Sequence, residues 1–377
     1  MEKPNTTARA IKFKPDGKLK IMHVTDTHIE DENIDYSLVL IREGCKKEKP
    51  DIAIITGDNV FNYDDDKKTK LYITRLMNVF GDLNIPVAVT FGNHDSEVGK
   101  MSRRELMAFY NTFDYSVTKE NGEEIVENGT FNVPVLSDNG TKTAFNLWVF
   151  DSGDYDDEGH YGCVSKEAVD WYREKSDEIT KENGGKIYSL AFQHIIVPEV
   201  YDVLKKTRKT LYAFRHMYNT EDYYMFNPEQ INFGTLNETP CCGFPNFGQF
   251  DAMVEKGDVL AVFSGHDHTN AFGVKHKGID IVNSLSTRYN GDRFSSMYGY
   301  RIIEVDEKNT SVYTCRVVHW YDMFTTEDIK SFKAVGDIKA VKTAKLVTNK
   351  GRRQKLMTKI GRDFTKLITG RKVTYND

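Results

Sequence analysis

Cysteine is scarce in this sequence and long apolar runs are absent. Five cysteines in 377 residues, an odd number at irregular spacing, exclude a small disulfide-stapled scaffold and suit a reducing compartment. The adjacent pair Cys241-Cys242 lies in a Gly- and Pro-containing loop. Bridging neighbours is strained, so loop packing is the expected role. Cys45, Cys163 and Cys315 read as core or helix fillers. No apolar stretch approaches the roughly 20 residues that cross a bilayer. Residues 1–20 are polar and lack the apolar segment of a signal peptide, so the expectation is a cytoplasmic protein.

Composition is otherwise ordinary for a globular chain, with 39% hydrophobic and 28% charged residues. Charge is unevenly placed. The net charge is −5, yet from Ser331 onward 13 Lys and Arg face 3 Asp, a basic tail on an acidic body. In that tail (331–377) Leu356, Met357, Ile360, Phe364, Leu367 and Ile368 recur at helical spacing among Lys355, Lys359, Arg362 and Lys366. This pattern predicts a basic amphipathic helix, either docked by its apolar stripe on the domain or lying peripherally on an anionic membrane. The acidic body argues against a groove for a nucleic-acid duplex, and no nucleic-acid partner is expected.

Five short stretches end in metal-type ligands: Asp26-Thr27-His28, Gly57-Asp58, Gly92-Asn93-His94-Asp95, His194, and Gly265-His266-Asp267-His268. Four follow apolar runs (21–24, 52–55, 87–89 and 259–263), and His194 follows the more mixed run 187–192. Continuous apolar runs are the mark of strands buried on both faces, and ligands gather where such strands end. The residue types fit a pair of divalent cations about 3.5–4 Å apart, which needs a bridging carboxylate and several neutral imidazoles. Asp58 is the expected bridge, with Asp26, His28 and His268 on one cation and Asn93, His194 and His266 on the other. An amide oxygen from Asn93 binds a hard cation without adding negative charge. His94 has no metal in this scheme and is the expected general acid, with Asp95 as its orienting partner.

This ordered set resembles the calcineurin-like metallophosphoesterase superfamily over roughly residues 18–320. Within it the chain looks most like the purple-acid-phosphatase-related branch, through the stretches 150–155, 194–199 and 250–268. The resemblance implies a four-layer α/β/β/α sandwich of two mixed sheets and a hydrolase acting on phosphoric esters through a hydroxide bridging two metal ions. It implies a phosphomonoesterase acting on a small metabolite or a phosphoprotein. The alternatives are a phosphodiesterase acting on cyclic nucleotides or a nucleotide-linked lipid precursor, and a non-catalytic scaffold of the same fold. Two departures from true purple acid phosphatases stand out: Phe61 occupies the position of their iron-ligating tyrosine, and His28 is an imidazole they lack. A colourless site is therefore expected, with manganese, iron and zinc all open.

Between the motifs, strand and helix signals alternate through residues 18–110, which predicts parallel strands with crossover helices. The catalytic domain is expected to span 1–330. Its largest insertion, 199–250, is rich in Tyr and Phe and is expected to form a partial cap near the metals. Arg215 and His216 in that insertion, and Arg288 and Tyr289 after the last motif, are candidate substrate contacts. His23 is expected to be a satisfied core residue.

Overall fold

The computed structural model describes residues 10–30, 34–60, 63–97, 99–118, 129–210, 213–227, 229–288 and 298–323. Phe61, Tyr289 and the basic tail expected over 331–377 lie outside the described residues. Two mixed sheets carry the fold. The first runs Asn309–His319, Gly299–Asp306, Lys18–Val24, Ile52–Thr56, Val87–Thr90, with its last three strands parallel. The second orders Ile11–Lys12, Phe131–Leu136, Thr143–Val149, Ser189–Phe192, Val259–Ser264, Ile279–Asn283, Ala271–His276 and Ile231–Thr235. Its centre, from Thr143–Val149 to Ile279–Asn283, is parallel.

Alternation along the strands sends side chains into separate cores, and these define the layers. Leu19, Ile21, Ile52 and Ile54 meet Phe145, Leu147, Phe192 and Phe263 between the two sheets. Met22, Val24, Ala53, Ile55 and Val89 face the other way, onto helices Ile34–Glu48, Asp66–Gly81 and Arg103–Tyr110. Trp148, Phe150, Ala191, Val262 and Ile281 pack outward against helices Lys166–Glu182 and Gln249–Lys256. The result is the expected α/β/β/α sandwich. Helix starts follow local chemistry: Ser102 and Glu105 form a reciprocal capping box, and the Ser165 side chain accepts from Ala168 N. No helix among the described residues is long and apolar enough to cross a membrane.

The insertion 199–250 divides in two. Lys205–Thr207, Tyr223–Met225 and Phe214–Arg215 form a separate three-stranded sheet, whereas Ile231–Thr235 joins the edge of the large sheet. His23 lies between the sheets beside Phe192 and Phe263, with one ring nitrogen 3.0 Å from Ser284 Oγ and the other 2.7 Å from Thr56 Oγ1. It is a satisfied core histidine, as its place in a strand suggested.

Candidate metal centre

The ligand residues leave the ends of neighbouring strands in loops that bond to one another. Asp26 N donates to Gly57 O (3.1 Å) and His28 N to Asp58 O (2.8 Å). Gly265 N donates to His194 O (2.9 Å). The close approach has a backbone cost. Asp26, His28, Asp58 and His266 all hold positive φ, at 52°, 40°, 49° and 70°. Each costs on the order of 1–3 kcal/mol for a residue with a Cβ, and such strain persists where surrounding bonds enforce it. Two glycines make room: a Cβ on Gly92 would lie 2.3 Å from Asp58 Oδ1 and 2.7 Å from His194 Nε2, and one on Gly265 would lie 2.4 Å from Asp26 Oδ2.

Within this frame the side chains form the two groups that the sequence predicts. Asp26, His28, Asp58 and His268 offer ligand atoms within 4.8 Å of one another, as do Asp58, His194 and His266. Asp58 is common to both. Asn93 completes the second group, its Oδ1 lying 3.2 Å from His194 Nε2. Each carboxylate has one oxygen committed to protein donors and the other without a hydrogen bond, facing imidazoles at 3.3 Å (Asp58 Oδ2 to His194 Nε2) and 3.4 Å (Asp26 Oδ1 to His268 Nε2). Asp26 Oδ2 accepts from Thr25 Oγ1 (2.7 Å) and His266 N (2.9 Å), while Oδ1 is buried with no hydrogen-bond partner. Asp58 Oδ1 accepts from His94 N (2.9 Å), and Oδ2 is likewise buried and unpartnered, as is His266 Nε2. A buried acceptor without a donor is costly, so this set fits cations rather than a dry polar core. His194 Nδ1 donates to Thr56 O (2.8 Å), which leaves Nε2 as the ligating nitrogen.

The electrostatics agree. Burial disfavours the imidazolium of His194, but Asp58 and Asp26 push it up to about 10. Burial works against Asp26 and Asp58 too, yet His194 and its neighbours hold both carboxyls well below the usual range. Protons thus sit where cations would. Because His194 must lose its proton to ligate, metal affinity should rise with pH, about tenfold per unit for each proton displaced. Manganese titrations from pH 6.5 to 8.5, in buffers of differing ionisation enthalpy, should show proton release; a pH-independent affinity would contradict it.

The remaining predicted residues divide. His94 stands at the rim, its side chain 45% exposed and its ring 5.6 Å from that of His28. Its Nδ1 pairs with Glu97, one helical turn on, and not with Asp95. Asp95 must be corrected: its carboxylate turns inward and accepts from the backbone N–H of Asp58 (2.7 Å), Gly92 (2.8 Å) and Asn59 (3.0 Å). It pins the two ligand loops together instead of orienting His94. Burial and the neighbouring Asp58 push its carboxyl up to about 6. Arg215 and His216 bond inside the insertion, through Arg215 Nε to Thr220 O (2.9 Å) and through His216 Nδ1, which accepts from Asn219 N (3.0 Å). Neither touches a metal-ligand residue among those described. Arg288 is joined to the ligand loops by its backbone, whose N–H donates to Asp26 O (3.2 Å), while its guanidinium pairs with Glu30 (2.5 Å).

Sequence reasoning missed a supporting clamp. Arg103, 16% exposed, donates to Gly92 O (2.8 Å) and Ser96 Oγ (3.1 Å) and pairs with Asp151. It ties the Asn93 loop to the segment 151–154. That segment continues to Tyr155, which accepts from Asn93 Nδ2 (2.7 Å), and returns through Tyr161, whose ring meets that of His266 at 4.3 Å. The signal available was the 150–155 stretch itself, which carries no metal ligand yet marks the branch.

Residues 19–270 match the calcineurin-like phosphoesterase family. The chain belongs to that family. Among curated sequences it is 25% identical to "Probable inactive purple acid phosphatase 14" of Arabidopsis thaliana, over 75% of this chain and 74% of that one. It is 27% identical to "Probable inactive purple acid phosphatase 28" of the same plant, over 71% and 70%. A dimetal phosphatase from Danio rerio aligns with a TM-score of 0.48 at 11% identity, covering 80% of this chain and 99% of that chain.

Proposed function

We propose that this phosphoesterase is catalytically competent and hydrolyses phosphate monoesters. The observation that carries this is the complete ligand set: two groups sharing Asp58, with bare, buried acceptors on Asp26, Asp58 and His266 turned to common space. When bound, two divalent cations, with manganese, iron and zinc as candidates, would neutralise phosphoryl oxygens and lower the pKa of the attacking water. The protein's part is to hold that charge in place. Asn93 ligates without adding negative charge, so the site keeps its attraction for phosphate. His94, backed by Glu97, protonates the departing oxygen as the bond from phosphorus to the leaving group breaks and the bond from water forms. The Arabidopsis relatives are named as probable inactive phosphatases, so the case for turnover rests on this chain's own ligand set and not on their names.

The test is hydrolysis of p-nitrophenyl phosphate against bis-p-nitrophenyl phosphate by metal-stripped protein reloaded with manganese, iron or zinc. A clear preference for the monoester is expected. Preference for the diester would replace this reading with a phosphodiesterase acting on cyclic nucleotides or a nucleotide-linked lipid precursor. No turnover with any metal would place the chain with a non-catalytic scaffold.

A further inference from the structure

The segment 151–163 carries none of the metal ligands, yet it is built against them. Tyr155 and Tyr161 face each other across an antiparallel bridge, with ring centroids 5.3 Å apart, and each touches a ligand of the same group, Asn93 and His266. The segment is held to the Asn93 loop at two further points, by Arg103 with Asp151 and by Ser96 Oγ donating to Asp154 Oδ2 (3.2 Å).

The bonding at Tyr155 has a direction. Asn93 turns its oxygen toward His194, so its nitrogen must point the other way, and that nitrogen donates to the Tyr155 hydroxyl. A phenol that accepts through its oxygen keeps its own proton for another partner. Among the described residues no acceptor takes that proton. Tyr155 is half-buried, and its hydroxyl lies one hydrogen bond from a ligand amide. The free O–H is thereby set beside a residue that would hold a cation, where a bound anion would need donors.

We infer that Tyr155 is a phosphoryl-binding residue, whose hydroxyl accepts from Asn93 and donates to an oxygen of the bound phosphoryl group. The assignment rests on the phosphoesterase reading above. It gives the segment 151–163 a task that its lack of metal ligands left open, and it assigns the site a neutral donor in addition to its cations. A neutral donor strengthens as charge gathers on the phosphoryl oxygens, without adding a fixed charge that would repel the metals.

The test is Tyr155→Phe, which keeps the ring and removes the hydroxyl. Protein loaded with manganese alone is titrated with inorganic phosphate by calorimetry, and its metal content and melting temperature are measured alongside. Loss of one hydrogen bond to a charged acceptor should weaken phosphate binding roughly 10- to 100-fold. Metal content should stay at the wild-type level, and kcat/KM for p-nitrophenyl phosphate should fall in parallel. Unchanged phosphate affinity in fully loaded Tyr155→Phe overturns the inference. So does loss of metal with undiminished phosphate affinity in the molecules that remain loaded, because the hydroxyl would then serve only to orient Asn93. The phosphate arm is independent of turnover: if wild-type protein hydrolyses nothing but the variant still binds phosphate more weakly, the functional reading fails and the assignment of Tyr155 stands.

Discussion

Replacing Asp58 with asparagine is expected to remove metal and activity together. The amide matches the carboxylate in size and can still accept from His94 N through one oxygen. It loses a charge, however, and either sets an NH2 against His194 Nε2 (3.3 Å) and His28 Nε2 (3.5 Å) or presents them a neutral oxygen. Both ligand groups use this residue, so neither cation keeps its full set. Losing an outer partner of a ligand already costs roughly 10–100-fold in metal affinity, and losing the shared ligand should cost more at both positions. Metal content should fall from about two equivalents to below one, with turnover down by about 10³-fold or more. Melting provides the control: the rise in Tm that metal confers on the wild type should vanish, while the metal-free variant still unfolds cooperatively. Full metal content in Asp58→Asn would contradict the bridging assignment.

The metal ligands were legible because their chemistry and their positions are both local properties. Runs such as Ile52–Thr56 and Val87–Thr90 are apolar throughout because both faces are buried, and a carboxylate or amide directly after such a run falls at the sheet edge. Residue type then narrows the role, since few folds place Asp, His and Asn together for any other purpose. What was not legible depends on rotation and on distant contacts. Asp95 follows His94, but the short helical turn His94–Ser96 points the two side chains apart, one inward to three N–H groups and one outward to Glu97. Neighbours in sequence were read as neighbours in space, and the i,i+3 relation of His94 to Glu97 was the better guide.

The insertion shows the same limit from the other side. Its aromatic richness was read as a partial cap near the metals, with no sign of which rings would meet. Tyr201, His216 and Tyr224 close on one another, with ring centroids 4.1 Å and 5.0 Å from Tyr201, so His216 is used up inside the insertion. Arg103 itself carried no signal, although its partner stretch 150–155 did. A single arginine on an amphipathic helix is usually a solvated charge, and only the fold brings Gly92 O and Asp151 within its reach.

His94→Ala should leave both metals bound and slow the reaction by an amount that depends on the leaving group. No metal role falls to His94: it joins neither ligand group, its side chain is 45% exposed, and Glu97 holds its Nδ1. That pairing fixes the ring and directs Nε2 away from Glu97, the orientation a proton donor needs. An alkyl phosphate must release a strongly basic alkoxide as its P–O bond breaks, and loss of the donor should lower kcat by roughly 10²–10⁴-fold. p-Nitrophenolate departs without help, so the loss there should be far smaller. Glu97→Gln should show the same pattern in weaker form, because the amide holds the ring less firmly in its orientation. The decisive quantity is the ratio of the two losses in one variant, which cancels any general damage to the site. Equal losses on both esters would show that His94 binds phosphate and supplies no proton, and the acid would have to be sought elsewhere on the rim.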